Sequence, residues 1–151
     1  MVDREKLEGE LQKKMMEYRI MESRISSMSN QRELFSTKML EVQSTLTGMD
    51  QITKGHSDMI FPIGSGSYVK GQLSEEKKIL VEIGANVALN MGLAEAKEYL
   101  ESRKKELEEG IEIINKDLEN TVLEMKKLEL DAQKLIAEAQ TDDDKFKVVS
   151  G

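Results

Sequence analysis

A walk from Leu7 in alternating steps of four and three residues meets Leu7, Leu11, Lys14, Tyr18, Met21, Ile25, Met28, Arg32, Phe35, Met39, Val42, Leu46 and Met49. Eleven of these thirteen positions are apolar or aromatic, and the register never slips. From Leu93 the same stepping meets Lys97, Leu100, Lys104, Leu107, Ile111, Ile114, Leu118, Thr121, Met125, Leu128, Ala132, Leu135 and Ala139, with eleven of fourteen apolar. An apolar repeat near 3.5 residues is the signature of a coiled-coil seam. It predicts a first helix over residues 4–53, about 75 Å long at 1.5 Å per residue, and a second of similar length. Neither is stable in water without a partner along its stripe. Two stripes of matched length at opposite ends of a chain close naturally into an antiparallel pair. Gly110 falls beside the second stripe, costs about 1 kcal/mol of helix propensity, and is a candidate bend.

Composition supports an elongated molecule over a round one. Aromatic residues make up 4%, tryptophan is absent, and charged residues make up 34%. A single-core globule carries more large apolar side chains. The net charge is −7. Residues 92–141 hold 13 acidic and 8 basic side chains and supply most of that excess. An acidic chain without a basic stripe has no electrostatic footprint for nucleic acid and no polybasic anchor for a membrane. Neither is expected as a partner. Cysteine is absent, so disulfides and thiolate metal sites are excluded. No stretch approaches the roughly 18 apolar residues of a transmembrane helix. The opening "MVDREKLEGE" lacks an apolar signal-peptide core, which leads to the expectation of a cytoplasmic protein.

Between the two stripes the pattern changes. Residues 55–92 contain six of the ten glycines and the only proline. Short β-prone runs lie among them: "MIFPI" (59–63), "SYVKGQL" (67–73), "KILVEI" (78–83) and "NVALNM" (86–91). "IGSGS", "SEEK" and "GAN" supply turn chemistry between them. The region reads as four strands in two hairpins. Two isolated hairpins are marginal in water and leave open edges that can pair with another chain. The expected organisation is an N-terminal coiled-coil helix (1–54), a β-hairpin oligomerisation region (55–91), a C-terminal coiled-coil helix (92–141) and a flexible tail (142–151). The fold class is α+β and mostly α.

Three features invite a chemical reading. Gly64-Ser65-Gly66 begins like a dinucleotide fingerprint, but Val69 stands at the third glycine and no helix opens from the turn. A phosphate loop over Gly66 to Gly71 fails because Gln72-Leu73 replace the required Lys and Ser/Thr. Glycines for a tight turn and Pro62 at a sheet edge explain the stretch better. His56 is the sole histidine, and with Asp58 nearby it still lacks a nucleophile or a second ligand. It reads as a solvent-exposed loop residue. Asp142–Asp144 lack the glycine and terminal glutamate of a calcium loop. No catalytic residue, metal site or cofactor is expected, and the chain is not expected to be an enzyme.

The ten methionines are more informative. Met21 and Met28 belong to the seam, whereas Met15 and Met16 flank it at Lys14 and should stay accessible. Flexible, polarisable methionine surfaces suit binding of varied apolar partners. The phrases "FPIGSGSYVKGQL", "VEIGANVALN" and "LAEAKEYLESRKKELEEGI", set in the order helix, two hairpins, helix, resemble the α class of prefoldin subunits, an archaeal-type molecular chaperone. The β class has one hairpin where the α class has two.

The resemblance implies a hexamer of two α and four β subunits whose hairpins close into an intersubunit β-barrel, with the coiled coils hanging from it. It implies an ATP-independent holdase that captures unfolded polypeptide at the coiled-coil tips and passes it to a group II chaperonin. Carried onto this chain, the tip residues are Leu7, Leu11, Met15, Met16, Leu128, Leu135 and Ile136. The oligomerisation residues are Ile60, Ile63, Tyr68, Val69, Ile79, Val81, Val87 and Leu89. The alternative is a homo-oligomeric or filament-forming structural protein of the same type.

Overall fold

The computed structural model describes residues 3–54, 58–74 and 76–150. Helix α1 (Arg4–Thr53) leads into β1 (Met59–Gly64), β2 (Ser67–Gly71), β3 (Lys78–Gly84) and β4 (Val87–Gly92), and helix α2 (Leu93–Ser150) follows. Asp3 starts α1: its carbonyl accepts from the Leu7 amide and its carboxylate from the Glu5 amide, which satisfies donors that a helix start leaves open. His56 lies outside the described residues.

Along α1 the seam positions from Leu7 to Met49 are buried or half-buried, with Arg32 the exception. Along α2 those from Leu93 to Ala139 are likewise covered, except Lys97. The chain packs as two compact units. One comprises Met1–Leu34 with Ile111–Gly151. There, Arg4 pairs with Asp143, Lys14 with Asp131 (3.9 Å), Tyr18 with Glu129 (3.0 Å) and Arg32 with Asn115 (3.2 Å). As the α1 number rises the α2 partner's number falls in step, the mark of antiparallel pairing.

The second unit is Phe35–Gly110. Here Lys104 donates to Gln43 (2.8 Å) and Lys97 to Asp50 (3.2 Å), again antiparallel. Its core consists of Leu46 and Met49 from α1, Val81 and Met91 from the second hairpin, and Ala96 from α2. Val42, Ile79, Leu93, Tyr99 and Leu100 pack around it. Ala96 is fully buried while the seam position Lys97 is exposed. At this end the helix is covered by a sheet face as well as by a helix, and alanine permits the close approach. Gly110 packs against an aromatic ring of α1. A Cβ there would sit 2.7 Å from the Phe35 ring, so the missing side chain makes the hole that Phe35 fills.

The segment expected as a tail is helical up to Ser150. Helix α2 runs through Asp142–Asp144 to Ser150 instead of ending at residue 141. No glycine or proline interrupts 111–150, so no residue in that span forces a stop. Thr141 bonds back to the Ala137 carbonyl (2.8 Å), keeping its hydroxyl satisfied inside the helix.

Candidate functional site

The two hairpins are separate two-stranded antiparallel sheets, β1 with β2 and β3 with β4. They share one design. Pro62 pairs with Tyr68 and Gly64 with Ser67; Glu82 pairs with Ala88 and Gly84 with Val87. Each first strand has an irregularity just before its glycine. Each turn then uses two central residues with positive φ: Ser65 (49°) and Gly66 (72°), Ala85 (50°) and Asn86 (59°). Two positive-φ residues define the type I′ turn, whose twist matches the flanking strands. The glycines of "FPIGSGSYVKG" therefore shape a turn.

The hairpins differ in what covers them. In β3–β4 the face bearing Ile79, Val81 and Met91 lies on the helices of its own unit. Ile79 and Val81, expected at an intersubunit surface, pack against the chain's own core here; Val81 is only 8% exposed. Val87 and Leu89 remain exposed, as does Leu80 on the opposite parity at 70%. In β1–β2 no side chain is buried at all. Ile60, Ile63, Tyr68 and Val69 are all more than half exposed. The Phe61 ring folds onto Gly71, where an added Cβ would approach it to 2.9 Å. Burying one large apolar side chain is worth about 1.5–3 kcal/mol, so this hairpin forgoes several such contributions within its own chain. Its ladder has two open edges, a template for further strands.

At the ends of the helices the expected tip residues separate into three groups. Leu7 is buried on the seam stripe and offers no surface of its own. Leu11, Leu128 and Leu135 are half-buried along the seam. Met15 and Met16 are more than half exposed, and Ile136 is nearly so. Met15 and Leu128 border an open groove of about 340 Å³ that Lys14, Tyr18, Glu129 and Ala132 also line. The Tyr18 hydroxyl donates to Glu129 across it. That bond, reinforced by the charges of Glu129 and Glu22 and by partial burial, raises the phenol above its ordinary pKa of 10.0. Leu80 was not singled out from the sequence because it stands between Lys78 and Glu82 on the otherwise charged parity of "KILVEI". It missed Ile20, Leu123 and Leu130 because they fall off the seam stripe.

Among the described residues no group of three or more His, Cys, Asp or Glu is placed to hold a metal ion, and no helix is long and apolar enough to cross a membrane.

A sequence profile of the family described as "Prefoldin subunit" matches residues 5–138, spanning both helices and both hairpins. The chain belongs to the prefoldin family. It is 30% identical over 105 residues to prefoldin subunit alpha of Pyrococcus horikoshii, covering 68% of this chain and 71% of that one. It is 28% identical over 115 residues to prefoldin subunit alpha of Thermofilum pendens, covering 75% and 89%. Its fold is similar to that of a chain in the cryo-EM structure of filamentous PFD from Methanocaldococcus jannaschii. The TM-score is 0.66 and the identity 16%, with 75% of this chain and 95% of that chain covered. The two hairpins and the alpha-subunit relatives place it in the α class. As a prefoldin subunit it is a chaperone component and not an enzyme, and it assembles with other prefoldin subunits.

Proposed function

We propose that this subunit serves in an ATP-independent holdase. In this reading the complex contains two α and four prefoldin β subunits, captures unfolded client proteins at its coiled-coil ends and delivers them to a group II chaperonin in the cytoplasm. The observation that carries the assembly half is the β1–β2 hairpin. Its apolar side chains are exposed on both faces, and an isolated hairpin of this kind is marginal in water. Closure of hairpins from several subunits into a β-barrel would pair the edges and enclose one face of the hairpin, with Ile60 and Tyr68 on one side of the sheet and Val69 on the other.

The capture half is supported by Met15, Met16 and Ile136, exposed apolar residues off the seam and near the helix ends. Deleting residues 1–16 should weaken protection of a client while the complex keeps its mass. Loss of assembly on that deletion would assign the segment to structure instead. A second reading, a homo-oligomer or filament, is favoured by the same open edges and by the filamentous assembly named for the similar M. jannaschii chain. Native mass measurement separates the two. Discrete growth only on adding β subunits supports the hexamer, whereas open-ended growth of the chain alone supports the filament.

A further inference from the structure

The outward stripe of α2, on the side of the helix away from its seam, has a charge pattern that the assembly and capture surfaces do not use. Between Glu109 and Asp144 this stripe reads Ile113, Lys116, Asn120, Leu123, Lys127, Leu130, Lys134, Ala137 and Thr141. It contains no carboxylate, although the chain as a whole carries a net charge of −7. The acidic residues of this helix segment lie beside the stripe or toward α1, where Glu129, Asp131 and Asp143 pair with Tyr18, Lys14 and Arg4. Leu123 and Leu130 are 63% and 58% exposed, and the three lysines are exposed as well. Among the described residues none of Lys116, Lys127 and Lys134 makes an ion pair. A face that only solvates a helix mixes both signs and seldom spaces leucines one heptad apart. Here leucine and lysine alternate along one line, about 10 Å between successive leucines at 1.5 Å per residue.

We propose that this stripe, centred on Leu123, Lys127, Leu130 and Lys134, docks an acidic amphipathic polypeptide segment. The leucines cover the partner's apolar residues and the lysines meet its carboxylates. Charge complementarity selects that occupant: a basic or neutral segment gains nothing from the lysines, and the acidic flanks of the same helix repel misplaced carboxylates and fix the line of approach. The inference adds a partner class to the chaperone reading and uses a surface distinct from Met15, Met16 and Ile136.

The test uses the assembled complex of the full-length chain. One probe is a fluorescent synthetic helix of Leu, Ala and Glu with leucines at heptad spacing; the control has Lys at every Glu. Direct binding by anisotropy should favour the acidic peptide and weaken as salt rises. The triple variant Lys116→Glu, Lys127→Glu, Lys134→Glu should lose about tenfold or more in affinity, as expected for several exposed charge pairs reversed together. Leu123→Ser with Leu130→Ser should weaken binding at high salt too. Helicity and complex mass, checked in parallel, should be unchanged. Equal binding of the two peptides, or unchanged affinity in the lysine variant, would overturn the proposal. So would equal binding of a polyanion without leucines, such as heparin. Loss of client protection together with peptide binding in the lysine variant would merge the stripe with the general capture surface and also overturn it. Failure of the wild-type complex to protect any client would sink the holdase reading alone, because peptide binding is measured directly.

Discussion

Replacing Gly110 by alanine sets two effects of known sign against each other. In an exposed helix the change stabilises by about 1 kcal/mol. Here the new Cβ would lie 2.7 Å from Phe35 Cε2 and 3.1 Å from Cδ2, about 1 Å inside ordinary carbon–carbon contact. Moving a ring aside in a packed seam costs about 1–3 kcal/mol. Gly110→Ala alone should therefore range from neutral to about 2 kcal/mol destabilising. In a Phe35→Leu background the ring edge is gone, and the same substitution should stabilise by about 1 kcal/mol. The coupling, about 1–3 kcal/mol, is the quantity to measure. Thermal midpoints of the four proteins, at equal concentration and in the same assembly, give it by circular dichroism. Each kcal/mol corresponds to about 2–4 °C for a chain of this size. Additive effects, with Gly110→Ala stabilising in both backgrounds, would refute the view that the glycine exists to admit Phe35.

Ala85 holds a φ of +50° without glycine's freedom, a conformation that costs an L-residue about 1–2 kcal/mol. Ala85→Gly should raise the thermal midpoint by a few degrees, part of the gain being lost to the greater entropy of the unfolded chain. Val69→Glu places a charge on the exposed hairpin and should abolish growth of the complex while leaving helicity intact, as read by native mass and circular dichroism together. Tyr18 keeps its proton more tightly in the folded protein than in the unfolded chain. Its bond to Glu129 thus contributes below pH 10 and is lost as pH rises through the elevated value. The stability difference between wild type and Tyr18→Phe should be flat from pH 7 to 9 and shrink in more alkaline urea titrations.

Most of the helical architecture is visible in the heptads, because a 3.5-residue repeat admits few alternatives. What the repeat hides is how its polar members are satisfied. Lys14, Arg32 and Lys104 interrupt the apolar stripes. In the structure they meet Asp131, Asn115 and Gln43 across the seam, while Thr121 turns back onto the Asp117 carbonyl. Such pairs fix register at some cost in stability, and their partners cannot be identified until the two helices are aligned. The hairpins were legible from glycine and β-branched residues. In "KILVEI" the alternation of Ile79, Val81 and Ile83 with Lys78, Leu80 and Glu82 marks the covered face, and packing against Leu46, Met49 and Ala96 buries Val81 while Leu80 stays exposed. Three consecutive aspartates resemble the start of a tail, yet nothing in them breaks a helix, and α2 continues to Ser150.

Suppression of client aggregation in the absence of ATP is the decisive measurement for a holdase. A chemically denatured client is diluted into buffer containing the assembled complex, and light scattering is followed with time. A holdase should suppress scattering strongly near stoichiometric complex, and less when residues 1–16 are deleted from an otherwise intact assembly. Scattering identical to that of the client alone would contradict the holdase reading.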